Sequence, residues 1–488
     1  MPRNQDMQLE TPPARTPAED GSAAAAAAVE IQSLGLVYVP AEEGDGPMVP
    51  LTYAVLRDGT TFLVDLAQIG AGATSTPLRE VPERARAAIR AEHRGADLTF
   101  PSLVRDHRIG HALPGRADEV LWVDPMKIDL VYGGTAGRTL TRLEGAVLGG
   151  DWDAVHKRRF GALHVTRAIH ERILRGTPWE ETTFYAGIVR QIEKGVHKWS
   201  CRSEEEFAQR LAGIDRLIES IRSAGYKTQE ELGLRPAWDE IRVAIQRDGR
   251  FLFLDGRHRL AIARALGLPE VPVRVCVRHL EWERLKDDIH EYASRRKGRV
   301  YQLIDHPDLR DVPAHHGTER AVILTRALGD YDARGKRLLD IGAHWGYMTQ
   351  QFERLGFRCT AVEANKTCAR IAGKLAVATE SSYDVWRGDV FEFPDAEEYD
   401  VVLALSIFHH FIKTEELHAK LVAFLGRLSA DVILFEPHVS DPPGQMRGAY
   451  RNYHPQEFAD FVARHAGMSR TEHLGLAPDG RSLFKLVR

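Results

Sequence analysis

Cysteine is scarce in this chain: 488 residues hold four, at positions 201, 276, 359 and 368, and none forms a C-x-x-C pair. Neither a disulfide framework nor a metal site is therefore expected, and a reducing cytoplasm is the compartment such usage suits. No run of 18 apolar residues occurs, so no segment reads as a membrane span. An excess of one charge is missing too. With 65 Lys and Arg against 69 Asp and Glu the formal net charge is −4, which gives the chain as a whole no electrostatic footprint for nucleic acid. Residues 1 to 30 hold Pro, Ala, Ser and acidic residues and end in Ala23 to Ala28. Lacking a basic start and a leucine-rich core, they read as a disordered tail and not as a signal peptide.

What is present is organised around Leu338-Leu339-Asp340-Ile341-Gly342-Ala343-His344-Trp345-Gly346-Tyr347-Met348-Thr349. An apolar run, two glycines four apart and a helix-compatible continuation spell a parallel strand, a tight turn and a crossover helix. Gly342 and Gly346 are expected to let the backbone close on a ligand at the carboxyl end of the first strand of a doubly wound sheet. The G-x-x-x-G spacing differs from the G-x-G-x-x-G of dinucleotide folds, so a pyrophosphate cradle is the poorer reading. Arg358 to Glu363 reads as a second strand ending in an acid that can accept from both ribose hydroxyls. Asp389 closes a third short strand, where a carboxylate can accept from an adenine amino group. Asp400 to Ser406 is an apolar fourth strand, as expected for one covered on both faces, and it runs into Phe408-His409-His410.

Taken in that order, these segments resemble a class I S-adenosylmethionine-dependent methyltransferase over residues 318 to 488. The resemblance puts Asp340, Gly342 and Gly346 on the first motif, Glu363 on the second and Asp389 on the third. It implies S-adenosyl-L-methionine as cofactor, with Ser406 at the edge of its site. Asp431 to Glu436 fits the fifth strand. Ser469 to Leu476 and Arg481 to Val487, joined by Pro478-Asp479-Gly480, fit a terminal antiparallel hairpin.

Methyl transfer from a sulfonium is an in-line displacement that chiefly needs positioning, and a base is required only for some acceptors. His409 and His410 lie where acceptors sit in this fold and are the candidate catalytic residues; being adjacent they point apart, so at most one faces the methyl group. Glu436-Pro437-His438 and the polar, aromatic stretch from Arg447 to Tyr453 are further candidates for the acceptor side. Phe408-His409-His410 is similar to methyltransferases that terminate bacterial polysaccharide chains, and Asn452-Tyr453-His454-Pro455 to phosphate-capping ones. No Asn-Pro-Pro-Tyr or Asp-Pro-Pro-Tyr segment follows the fourth strand. A small-molecule, sugar or phosphate acceptor is the resulting expectation.

Upstream, Glu204 to Ala224 spells an amphipathic helix with Phe207, Leu211, Ile214, Leu217 and Ile221 on one face, ended by Gly225. A hairpin, Ile241 to Ile245 and Phe251 to Leu254, leads into Asp255-Gly256-Arg257-His258-Arg259 at the start of a helix. Together these resemble a ParB/sulfiredoxin-like domain. The resemblance implies that Gly256, Arg257, His258 and Arg259 bind a phosphate or nucleotide, with backbone N–H groups, a helix N-terminus and arginine converging on an anion. Arg257 stands where the reactive cysteine of sulfiredoxin would precede the histidine, which excludes thiol repair. Trp179, Tyr185 and Trp199 are expected in the core, and Glu281 to Arg296 as a solvated connector.

The expected architecture is α/β. A disordered tail covers 1 to 30, a small α+β module 31 to 151, the ParB/sulfiredoxin-like domain with its helical lead-in 152 to 300, and a doubly wound Rossmann-like methyltransferase sheet 301 to 488. In the first module strands are expected at Leu36 to Pro40, Leu51 to Leu56, Thr61 to Asp65 and Leu121 to Pro125, with a helix at Val81 to His93. Two other functions fit the sequence: a bifunctional phosphotransferase and methyltransferase, and a non-catalytic protein that senses nucleotide and cofactor.

Overall fold

The computed structural model describes the strands Ile31–Pro40, Met48–Leu56, Thr61–Val64 and Thr76–Pro77, and residues 120–488 apart from 133–139, 142–144, 150–151, 155–156, 234–238, 330, 395 and 439–445. The expected tail and the helix from Val81 to His93 lie outside the described residues. The four N-terminal strands pair antiparallel in chain order, and the strands expected around residues 36, 51 and 61 fall within them.

A second sheet occupies the middle of the chain. Val120–Val123, Val271–His279, Ile241–Ile245, Phe251–Asp255, Leu130–Tyr132 and Lys157–Arg159 lie side by side, and Ala146–Leu148 pairs with the far end of Val271–His279. The sequence boundary at residue 151 therefore cuts through a sheet. Strands this short carry almost no periodic signal of their own, and their partners lie a hundred or so residues downstream, so local pattern assigned them to the wrong neighbour. Glu204–Ala224 does bury one face, with Ile218 replacing Leu217 among the buried residues.

The third sheet orders its strands Asp384–Arg387, Arg358–Glu363, Arg337–Ile341, Val401–Leu405, Val432–Glu436, Ser482–Val487 and Arg470–Leu476. The first five are parallel, and Ser482–Val487 inserts antiparallel between Val432–Glu436 and its own hairpin partner. This is a Rossmann-like sheet with an antiparallel end. Val401–Leu405 and Val432–Glu436 are buried at every position, as strands covered on both faces must be.

Helix Leu280–Ser294 corrects the expectation of a solvated connector. Trp282, Leu285, Ile289 and Ala293 recur at helical spacing and enter one hydrophobic core with residues of the middle sheet and with Trp345, Cys368, Ile371, Leu375 and Ala378. Its many charges sit on the other faces and mask this stripe in the sequence. The turn at Gly249 closes the same seam, since a Cβ there would lie 2.5 Å from the Ala378 Cβ and from the Trp282 ring. The middle unit and the C-terminal sheet are thus packed as one body through residues 282 to 378.

Candidate active site

The carboxyl ends of the parallel strands gather most of the residues singled out above. Arg337–Ile341 gives way to the turn Gly342 to Gly346 and then to helix Tyr347–Glu353. Within the turn, the Gly342 and Ala343 N–H groups donate to Val362 O, and the His344 N–H donates to Glu363 Oε2 at 2.9 Å. Glu363 Oε1 accepts the Asn365 N–H at 2.8 Å. Two backbone donors thus fix this carboxylate at the edge where the first two strands end, and each oxygen keeps a lone pair for a further donor. Burial raises the Glu363 carboxyl above its ordinary range.

Packing within the turn also requires both glycines. Gly346 has φ +80°, and a Cβ on it would fall on the Tyr383 hydroxyl; one on Gly342 would lie 2.9 Å from Ile407 Cδ1. The space they leave is filled by the protein's own side chains. Asp340 is likewise turned inward: it is buried and accepts from Thr349 Oγ1 at 2.6 Å, and burial pushes its carboxyl up to about 6. It braces the helix start from beneath. Asp389, by contrast, is exposed just beyond Asp384–Arg387, where its Oδ1 accepts the Phe391 N–H.

Beyond Val401–Leu405 a polar cluster forms that the sequence reading only partly anticipated. Ser406 hydrogen-bonds Glu436 and Arg481, and Arg320 Nη1 reaches both Glu436 oxygens at 3.2 and 3.3 Å. Arg320 and Arg481 come from a helix and a hairpin far apart in sequence, and nothing in their local context marks them. His409 is buried and His410 exposed, their rings 4.1 Å apart; the His409 ring also lies 5.7 Å from buried His438. Burial, reinforced by His410 and His438, lowers the His409 pKa to about 3. His438 Nε2 pairs with Asn452 Oδ1 at 2.9 Å, while its Nδ1 has no protein partner among the described residues. The contact joins the Glu436-Pro437-His438 segment to the stretch from Arg447 to Tyr453.

A second candidate site lies in the middle unit. Gly256, Arg257, His258 and Arg259 line a cavity of about 640 Å³ together with Trp199, Arg210 and Asp255. Gly256, at φ +90°, starts helix Arg257–Ala265, and a Cβ on it would meet the Ile241 backbone at 2.9 Å. The Arg259 guanidinium is bound to the main chain and carboxylate of Asp239, whereas Arg257 is exposed. Trp199 is half-buried: it packs against the hydrophobic core, its ring 4.9 Å from that of Phe184, and it also lines the cavity, 4.9 Å from His258. Trp179 and Tyr185 are buried.

Residues 314–460 match the family model described as Methyltransferase domain, so a methyltransferase domain occupies the C-terminal part of the chain. Among solved structures, the chain is similar to WbdD, at 19% identity with 40% of this chain and 46% of that one covered and a TM-score of 0.33. A further structure, of the bifunctional kinase-methyltransferase WbdD, matches at 20% identity over 40% of this chain and 45% of that one, with the same TM-score of 0.33. The aligned region thus spans less than half of those chains. The PH0226 protein from Pyrococcus horikoshii OT3 is covered over 98% of its length by 40% of this chain, at 15% identity and a TM-score of 0.30. No curated protein matches the chain.

Proposed function

We propose that this chain is an S-adenosylmethionine-dependent methyltransferase acting on a small-molecule, sugar or phosphate acceptor. The observation that carries this reading is the Glu363 carboxylate, held by two backbone N–H groups at the end of the second strand with acceptor capacity to spare. A pair of ribose hydroxyls matches that donor demand. Asp389, exposed at the end of the third strand, suits the adenine amino group, while Asp340, Gly342 and Gly346 shape the turn on which the cofactor would lie. When bound, the sulfonium would supply an already activated methyl group.

The protein's own contribution is placement. Ser406, Arg481 and Arg320 around Glu436 form a fixed polar wall beside the fourth and fifth strands. Burial lowers the pKa of both His409, to about 3, and His438, so both rings are neutral near pH 7; the same shift makes His409 a weak base, suited to accepting a hydrogen bond from a hydroxyl acceptor and not to holding its proton. His410, on the exposed side, suits acceptor binding better than proton transfer. A phosphate acceptor would need only the cationic groups.

In the middle unit we assign a ParB/sulfiredoxin-like role in binding phosphate or a nucleotide to the cavity around Gly256 to Arg259. The exposed Arg257 beside the start of helix Arg257–Ala265 supports it. Calorimetric titration of S-adenosylhomocysteine into the chain tests the main reading. Binding that disappears in Glu363→Ala is expected, and a folded wild-type chain that takes up no cofactor refutes it.

A further inference from the structure

We propose that Tyr292, on the helix that leaves the middle sheet, is a positioning residue for the cofactor site and acts through His344 on Glu363. The inference rests on the cofactor reading above. Tyr292 lies in the last turns of Leu280–Ser294, outside the stretch that matches the methyltransferase family. Its hydroxyl is 2.8 Å from His344 Nε2, and its ring packs 4.8 Å from that of Trp345.

His344 needs such support. It holds φ +55°, a left-handed conformation that costs a non-glycine residue on the order of 1 kcal/mol. Three contacts keep it there: the main-chain N–H on Glu363 Oε2, the ring packing against Trp345 and Tyr301 at 4.8 and 5.5 Å, and the bond from Nε2 to Tyr292. That N–H is one of the two donors that aim the carboxylate and belongs to the same turn, so a turn released from this conformation would hold Glu363 less firmly. Tyr292 and Tyr301 both precede residue 314, so the polypeptide that precedes the methyltransferase domain holds that domain's ribose contact in place. Cofactor affinity is thereby tied to the contact of Tyr292 with the turn.

The test is calorimetric titration of S-adenosylhomocysteine into the full chain and six variants. Tyr292→Phe removes only the hydroxyl and is expected to raise Kd roughly five- to tenfold, the effect of one hydrogen bond. The Tyr292→Phe, Glu363→Gln double variant should bind no more weakly than Glu363→Gln alone, because both act on one contact. In a His344→Gly background, where the left-handed turn carries no strain, Tyr292→Phe should change nothing. Arg370→Ala breaks the 2.6 Å pair with Asp288 at the same seam without touching the turn, and should leave Kd unchanged. A Tyr292→Phe variant that binds as wild type, additive losses with Glu363→Gln, or an equal loss in Arg370→Ala overturns the relay and leaves the cofactor reading intact. A cooperatively folded wild-type chain that binds no cofactor overturns both.

Discussion

Arg320 Nη1 lies 3.2 Å from Glu436 Oε1, and both side chains are buried beneath the edge where the fourth and fifth strands end. Removing one partner of a buried pair strands the other charge. Arg320→Met is expected to destabilise by about 3 kcal/mol, at the low end for such pairs because Arg481 and Ser406 still serve Glu436. Adding Glu436→Leu should recover much of that loss, which denaturant melts of the wild type and the two variants would read directly.

Gly346 carries a double constraint, its left-handed φ and the Tyr383 hydroxyl that occupies the place of a side chain. Gly346→Ala should cost roughly 2–3 kcal/mol from strain and overlap together. Tyr383→Phe in the same chain should recover only the hydroxyl's share of that cost, because ring carbon Cζ would still lie 2.8 Å from the new Cβ. Thermal melts of single and double variants read that share.

His306 seals the seam between the units, with Nε2 donating to Gly249 O at 3.0 Å and Nδ1 accepting the Asp308 N–H at 3.2 Å. Both nitrogens are committed to the neutral ring, and burial lowers its pKa from 6.5 to about 4. The unfolded chain therefore takes up this proton below pH 6.5 while the folded chain does not. Stability is full above that pH and is lost as the pH falls toward 4, by on the order of 2–3 kcal/mol between pH 7 and 4.5. His306→Gln should flatten that part of the stability profile relative to wild type, and an unchanged profile would refute the assignment.

Arg257 and Arg259 should separate cleanly. Arg259 is occupied by Asp239, so Arg259→Ala should lower the melting temperature; Arg257 is exposed at the cavity, so Arg257→Ala should weaken nucleotide or inorganic phosphate binding about tenfold at unchanged stability. Binding isotherms at low salt, paired with melts, check both.

Much of the C-terminal domain could be read from the chain because each signal is local. A strand that runs into Gly342 and Gly346, an acid at the end of the next strand and a hairpin around Pro478 to Gly480 each occupy a few consecutive residues. Burial on both faces made Val401–Leu405 legible for the same reason. The stripe Trp282, Leu285, Ile289 and Ala293 was also present, but the charges between those residues drew attention to the solvated side of the helix.

The sequence by itself determined the order of the C-terminal strands and turns, the acid at the tip of the second strand and the helix start at Gly256, since these follow from periodicity and backbone conformation. Tertiary structure decided the rest. Only the folded chain brings Arg320 and Arg481 onto Glu436, recruits Val120–Val123 and Ala146–Leu148 into the middle sheet and sets Tyr292 against His344. These pairings join residues far apart in the chain, and nothing in a local window distinguishes the partner that packing selects from any other residue of the same type.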